Sequence, residues 1–329
     1  MKIAFLGDLV VDRQVAVDSE VSQFLKEADV VIGNIEGIIL QQGFFPGPFK
    51  TYGSIIHNDY DAIMRLISKV GITHVNLYNN HMIDYGEEHF NRTVEILECA
   101  GIKILACENE FSLNGEKIKL SNSGLAETFG IYEISEKFGQ NINDMLFTKN
   151  PLEKWNNSII YTHFGIEQVK GLSRYESQWF QTIAKFSPKI IIRHHPHCIQ
   201  DFFLLNGVPC FPSIGDFVFN YKKKTTSEGL IVLFNTLDSD IQCRIVKCAH
   251  YHLRFVAKDF NLCTQSSPVF LSDYERSELK HRYLREYREG GFESLRKSVK
   301  YFLGKEKSEH VLSMSSKHFM QPYVLGELL

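Results

Sequence analysis

The sequence has no clustered cysteines. Its seven Cys are scattered along the chain, and no two of them form a C-x-x-C pair. A disulfide framework and a cysteine-type zinc site both need closer or regularly spaced cysteines, so neither is predicted. We interpret the cysteines as mostly buried thiols of a protein in a reducing compartment.

Long apolar runs and an excess of basic charge are also missing. The apolar run after Met1 stops at Asp8, too early for a signal peptide, and no later stretch reaches the ~20 apolar residues that cross a bilayer. We therefore expect a cytoplasmic protein without a transmembrane segment, at most peripheral to a membrane. The formal net charge of −3 gives no general reason to expect nucleic acid as a partner.

Three common catalytic motifs are absent. The sequence contains no G-x-S-x-G, no Walker A motif and no G-x-G-x-x-G. Triad hydrolases, P-loop NTPases and dinucleotide-binding enzymes therefore find no support.

Short β-branched runs alternate with helical stretches along most of the 329 residues. Residues 2–6 and 158–162 have the composition of buried strands, and Asn58 or Asp59 can cap a helix that runs to Val70. Residues 229–235 and 241–246 predict a β-hairpin. The alternation predicts an α/β layered fold, although the pattern is weak between residues 107 and 157.

Polar side chains follow several of the predicted strands. Each alone is more often a turn, core or surface residue than a ligand. A parallel sheet, however, brings successive carboxyl ends to one edge. Carboxylate, amide and imidazole groups that meet there form a site for one or two divalent ions. These strand-end residues are Asp8, Asn34, Glu36, Asn80, His81, His163, His195 and His197.

The spacing of His195 and His197 predicts that both imidazoles lie on one side of an extended segment, with Pro196 fixing the backbone between them. Asn34 and Glu36 have the same spacing, and would point the same way if their strand continued.

Two further segments of the sequence can each be interpreted in two ways. The Gly-, Pro- and Phe-rich stretch 41–53 includes Lys50 and is either a substrate-contacting loop or a loop without a role. Residues 274–300 predict charged helices, interrupted at Gly290 and Gly291. They form either a solvated pair at the domain edge or a basic segment that touches a membrane or partner.

The ordered motifs resemble those of the CapA family, the bacterial capsule and poly-γ-glutamate biosynthesis proteins of the calcineurin-like metallophosphoesterase superfamily. The resemblance covers residues 2–219 and implies a four-layer α/β/β/α sandwich with two divalent metal ions (Mn, Fe or Zn). It places a metallophosphoesterase-like domain at residues 1–255 and a C-terminal helical extension at 256–329. The motifs are Gly7-Asp8, Asn34-Ile35-Glu36, Asn79-Asn80-His81 with Asp84-Tyr85-Gly86, His163 to Glu167, His195-Pro196-His197 and Gly215 to Phe219.

The resemblance also implies roles for single residues. Glu36 takes the position of a bridging carboxylate, and His81 that of an acid or a phosphate-contacting imidazole. The implied metal ligands are Asp8, Glu36, Asn80, His163, His195 and His197. The implied catalytic residues are His81, Asp84 and Glu167, and the implied substrate-binding residues are Asn34, Asn79, Lys50, Arg193 and Gln200.

The chain departs from the family pattern at three positions. Arg193 stands where the family usually has Gly, Asp216 where it has Asn, and Phe164 where it has Trp. Arg193 either binds an anionic substrate or pairs with Asp216 to hold two strand ends together.

The expected function is that of a metal-dependent hydrolase, of the phosphoesterase type, in the biosynthesis of capsule or another cell-surface polymer. The expected substrate is an anionic polymer or a phosphorylated sugar. The alternative is an amide-ligase or transfer component that works with polymer-synthase subunits, or a protein that only binds glycan. The resemblance specifies the residues of the site better than it specifies the substrate.

Overall fold

The computed structural model describes residues 1–41, 55–77, 79–82, 84–105, 108–113, 116–121, 156–220, 226–258, 260, 262, 267–279 and 281. Lys50, nearly all of the loop 41–53 and all residues after 281, which include most of the predicted charged helices at 274–300, lie outside these ranges.

The first half of the chain alternates strands with helices. Its elements are β1 (Lys2–Val11), β2 (Ala16–Val17), α1 (Ser19–Leu25), β3 (Val30–Ile35), β4 (Ile38–Leu40), β5 (His57–Asp59), α2 (Tyr60–Val70), β6 (His74–Asn76), α3 (Glu87–Cys99), β7 (Lys103–Ile104), β8 (Glu108–Leu113) and β9 (Glu116–Ser121).

The second half is richer in strands. Its elements are β10 (Ile159–His163), α4 (Arg174–Ala184), β11 (Ile190–His194), β12 (Phe203–Leu205), β13 (Val208–Phe211), β14 (Asp216–Asn220), β15 (Thr226–Asn235), β16 (Ile241–Ala249) and β17 (His252–Phe255). The predicted hairpin is confirmed, since β15 and β16 pair in antiparallel register.

Two large sheets contain most of the described strands. The first has the order β2-β17-β16-β15-β1-β3-β6-β7, with β14 also paired to β1. The second has the order β12-β13-β11-β10-β9-β8. The pairs β1–β3, β3–β6 and β10–β11 are parallel, so each sheet brings neighbouring carboxyl ends to one edge.

The buried side chains sort into four layers. Alternate residues of the first sheet, such as Leu6 and Val75, pack on α1, α2 and α3. Residues of its opposite face, such as Phe5, pack on residues of the second sheet such as Tyr161. The outer face of the second sheet packs on α4, where Phe180 is fully buried. Because strand side chains alternate between faces, the predicted α/β/β/α sandwich is confirmed.

Local signals explain the helix ends. The side chain of Asp59 accepts a hydrogen bond from the Ala62 amide at 2.9 Å, which confirms the predicted cap of α2. Gly71 ends α2 with φ 74°, a conformation that Gly adopts without steric cost. Ser173 and Glu176 form a reciprocal capping box at the start of α4.

The described part of the C-terminal segment packs on the sandwich. Leu271 and Leu279 form a small buried cluster with Ile166 and Val169. Within the described residues, no helix is long and apolar enough to span a membrane. The domain boundary at residue 255 stays a prediction.

Candidate metal centre

Asp8 lies at the centre of the site and is fully buried. It does not end β1, as the sequence suggested, because the strand continues to Val11; instead the pairing with β3 shifts register between Phe5 and Asp8. Its Oδ1 accepts a hydrogen bond from Nδ2 of Asn34 at 2.8 Å. Burial raises the pKa of Asp8, but His194 and His163 outweigh it and hold that pKa well below its usual range.

Three buried imidazoles stand next to Asp8. Nδ1 of His194 lies 2.8 Å from Oδ1 of Asp8 and 2.8 Å from Nδ1 of His163. Nε2 of His163 lies 3.0 Å from Nδ1 of His195. Burial lowers the pKa of His163 to about 4 and that of His195 well below its usual value. Both rings are therefore neutral at pH 7, which is the form that binds metal.

Backbone conformation brings His195 and His197 together. The prediction of an extended segment is wrong, because φ is 101° at His195 and 55° at His197. Positive φ is uncommon for residues other than Gly and is found in turns and at functional sites. The backbone amide of His195 also donates to Oδ2 of Asp8 at 3.0 Å, which fixes this conformation.

Glu36 is a fully buried carboxylate with no hydrogen bond to either oxygen from any described residue. Nε2 of His81 lies 3.6 Å from its Oε1, and Nε2 of His197 lies 3.9 Å away. Burial raises the pKa of Glu36 well above its usual value, and Asp8 and Asp216 act in the same direction although His197 opposes them. A divalent cation would supply the missing positive charge.

The candidate ligands form four overlapping groups of three side chains. Within each group, the ligand atoms lie within 4.8 Å of one another. Nε2 of His194 and Nε2 of His195 are also buried without a hydrogen bond from the described residues. This set of carboxylates and imidazoles suits a divalent transition metal. The groups are Asp8–His163–His194, Glu36–His163–His195, Asp8–Glu36–His197 and Glu167–His195–His197.

His81 and Asp84 form a pair at the edge of this cluster. Nδ1 of His81 lies 2.6 Å from Oδ2 of Asp84, which also accepts the Ile56 amide at 2.9 Å. With Nδ1 bound to Asp84, Nε2 of His81 faces Glu36. Asn80 reaches the cluster as well, since its Oδ1 lies 3.0 Å from Nε2 of His163.

A chain of buried amides supports the acidic residues. Asn76, which was not among the predicted site residues, donates to Oδ1 of Asn34 at 2.7 Å, and Asn34 in turn donates to Asp8. Asn79 donates to the carbonyl of Ile35 at 2.7 Å. Asn34 and Asn79 are both fully buried and form hydrogen bonds with protein groups. Their contact with substrate stays a prediction.

Arg193 does not pair with Asp216. Oδ1 of Asp216 lies instead 2.8 Å from Nδ1 of His197. Burial lowers the pKa of His197, but Asp216 and Glu36 outweigh it and raise that pKa to about 10.

The fully buried Arg193 faces α4. Its Nη1 lies 2.7 Å from Oε1 of Glu176, an ion pair by distance without hydrogen-bond geometry. Its Nη2 donates to Gln200 at 2.9 Å, its Nε donates to the carbonyl of Pro212, and the ring of Phe164 lies 4.7 Å from the guanidinium. Arg193 and Gln200 are thus both buried and bonded to protein groups, and their contact with substrate stays a prediction.

His194 is the ligand candidate that sequence reasoning missed. The pattern His-x-His drew attention to His195 and His197, and His194 was not among the predicted ligands. Ile190, Ile192 and His194 alternate along β11, and the two isoleucines face the core between the sheets. That alternation places His194 on the inner face and is the signal that reveals it.

The comparisons with known proteins agree with the motifs. Residues 2–114 match the family model described as bacterial capsule synthesis protein PGA_cap. Capsule biosynthesis protein CapA of Bacillus anthracis is 25% identical over 273 residues, which cover 73% of this chain and 64% of that protein. PGA biosynthesis protein CapA of Bacillus subtilis (strain 168) is 23% identical over 262 residues, covering 71% of this chain and 67% of that protein.

These matches confirm the predicted resemblance to the CapA family. The chain is an α/β/β/α sandwich, and its sequence is similar to capsule-synthesis proteins along about two thirds of their length.

The solved structures that match the chain are more distant. TT1561 of Thermus thermophilus has a TM-score of 0.38 at 11% identity, over 74% of this chain and 97% of that one. An archaeal phosphodiesterase has a TM-score of 0.29 at 8% identity, over 74% and 99%.

Proposed function

We propose that the chain is a metal-dependent phosphoesterase that acts on an anionic polymer or a phosphorylated sugar in the synthesis of capsule or a related surface polymer. The observation that carries the proposal is Glu36, a buried carboxylate without a hydrogen bond from the described residues, placed beside Asp8 and the imidazole cluster. Such a group is costly to bury unless a cation accompanies it.

The residues available to hold metal are Asp8, Glu36, Asn80, His163, His194, His195 and His197, with Glu167 at the exposed margin. Metal ions bound there would polarise a phosphoryl oxygen and lower the pKa of water. Glu36 is shared by two of the ligand groups, as are Asp8, His163, His195 and His197, so its proposed bridging role rests on the family resemblance.

His81 is the proposed proton donor to the leaving oxygen. Its Nδ1 is held by Asp84, so Nε2 is the nitrogen that faces the cluster and can exchange a proton there. Asp84 orients the ring through this bond and is itself fixed by the Ile56 amide. Asp216 holds the ring of His197 in the same way.

The names of the two CapA relatives concern biosynthesis, and this favours a second candidate. In that case the same site serves a bond-forming or transfer step of a polymer synthase and needs partner subunits for turnover. Hydrolysis by the purified chain alone, at about 1 s⁻¹ or faster, distinguishes the first candidate from the second.

The test is an assay of the purified chain with a generic phosphodiester and added Mn²⁺, Fe²⁺ or Zn²⁺. We expect metal-dependent turnover in the wild type and none in Glu36→Gln, which keeps the shape of the side chain and removes its charge. Glu98→Gln on α3 is the matched control and should behave as the wild type. A wild-type protein that stays inert with each of these ions contradicts the proposal.

A further inference from the structure

The loop between β10 and α4, residues 164–173, carries a ligand candidate. Glu167 on this loop is exposed, and its carboxylate belongs to one ligand group with His195 and His197. An exposed side chain on a loop can reach a site only if other contacts hold the loop backbone in place.

The same loop is bonded to the segment that follows β11. The amide of Gln168 donates to the carbonyl of Pro196 at 2.8 Å. The carbonyl of Val169 accepts from Nε2 of Gln200 at 3.0 Å and lies 3.0 Å from Sγ of Cys198. A displacement of this loop would therefore also displace the segment from His195 to Gln200.

On its inner side, the loop is held by the capping-box glutamate of α4. Oε2 of Glu176 accepts the Ser173 amide at 2.8 Å, as a capping box requires. Its other oxygen, Oε1, accepts the Ile166 amide at 3.4 Å and contacts Arg193.

On its outer side, the loop is held by a second capping-box glutamate from the C-terminal segment. Residues 273–279 are helical, and Oε2 of Glu275 accepts the Ser272 amide at 2.9 Å and the Ser272 hydroxyl at 2.8 Å. Its Oε1 accepts the amides of Lys170 at 2.7 Å and Gly171 at 3.2 Å. Each glutamate thus uses one oxygen for its own helix and the other for the loop.

Other contacts fix the C-terminal segment on the loop. The amide of Leu172 donates to the carbonyl of Val269 at 2.8 Å, and the Leu271 amide donates to the carbonyl of Leu172 at 3.0 Å. A Cβ at Gly171 would lie 2.5 Å from the Phe270 carbonyl, so only Gly permits this approach. The apolar cluster of Leu271 and Leu279 lies beneath.

We propose that Glu275 is a positioning residue for the candidate metal centre: by holding the Lys170 and Gly171 amides, it sets the Glu167 loop and, through that loop, the His195–Gln200 segment. The C-terminal segment is then part of the site's support and not only an appendage of the domain. The expected effect of Glu275 on metal binding rests on the proposed function. Its expected effect on the position of the loop does not.

The first test measures amide hydrogen exchange by mass spectrometry on the full chain without metal. The variants are Glu275→Ala, the conservative Glu275→Gln, and the matched control Glu278→Ala, an exposed carboxylate on the same helix. We expect Glu275→Ala to accelerate exchange about tenfold in peptides of the loop 164–173 and of residues 194–200. Peptides of β1 should exchange as in the wild type, which excludes general unfolding.

Glu275→Gln should accelerate exchange less than Glu275→Ala does, because its side-chain amide oxygen still accepts hydrogen bonds from the loop amides. The proposal is overturned if exchange at residues 194–200 is unchanged, or if Glu278→Ala has the same effect. It is also overturned if β1 is accelerated equally in both Glu275 variants, since the role would then be general stabilisation.

The second test titrates Mn²⁺ alone into the same proteins. We expect Glu275→Ala to bind Mn²⁺ about tenfold more weakly than the wild type, the usual effect of losing an outer support of a metal site. Wild-type affinity in Glu275→Ala contradicts the link to the metal centre. A wild-type protein that binds no Mn²⁺ contradicts the proposed function instead, and hydrogen exchange alone then decides whether Glu275 positions the loop.

Discussion

Nδ1 of His194 lies 2.8 Å from Oδ1 of Asp8, although 186 residues separate them in the chain. Asp8 belongs to β1 of the first sheet and His194 to β11 of the second. The candidate metal centre therefore forms only when the two sheets pack against each other. This explains why both residues are fully buried and why the site lies at the edge shared by the two inner layers.

The pair of His81 and Asp84 makes a kinetic prediction. Replacing His81 with Gln removes the proposed proton donor while leaving the metal-binding residues in place. We expect the kcat for phosphodiester hydrolysis to fall by about 10²- to 10³-fold, with unchanged metal content. Steady-state kinetics and metal analysis of the same sample check this. A His81→Gln protein with wild-type kcat would remove His81 from the mechanism.

The buried ion pair of Arg193 and Glu176 makes a prediction about stability. Arg193→Met leaves the Glu176 carboxylate buried without its partner, and we expect the free energy of unfolding to fall by about 3–5 kcal/mol. Adding Glu176→Gln should recover part of this loss. Asp216→Asn should not, because Asp216 contacts His197 and not Arg193. Urea denaturation of the single and double variants measures these differences, and equal recovery by the two second changes would contradict the structure.

His74 makes a prediction about pH. Burial, with a smaller effect from Lys103, lowers the pKa of His74 from 6.5 to about 4 in the folded state. Between these two pH values, the unfolded chain binds a proton at this position that the folded chain does not. The contribution to stability is therefore present above pH 6.5 and is lost as the pH falls through this window. In urea denaturation from about pH 7 to about pH 4.5, His74→Gln should lose less stability than the wild type; parallel curves would count against this assignment.

Much of the fold could be predicted because local patterns and tertiary structure agree. The apolar runs located β1 and β10, and the polar signal at Asp59 located the start of α2. The layers follow from side-chain alternation once the strands are known.

The site was less completely predictable, for physical reasons. The positive φ of His195 and His197 depends on contacts such as the bond from the His195 amide to Asp8, which a local pattern does not encode. The partner of Arg193 could not be identified either, because it lies on α4, whose orientation is set by packing on the outer face of the second sheet.

The central claim is that the cluster around Glu36 binds divalent metal, and the most direct measurement is the unfolding temperature of apo protein with and without Mn²⁺. Ligand at about 100 times its dissociation constant stabilises the folded state by about 2.7 kcal/mol. We expect a clear rise in the wild type and a smaller one in Glu36→Gln, which leaves two of the four ligand groups intact. The apo unfolding temperature of Glu36→Gln should not fall, because no hydrogen bond to Glu36 from the described residues is lost. A wild-type protein whose unfolding temperature does not respond to Mn²⁺, Fe²⁺ or Zn²⁺ would contradict the account.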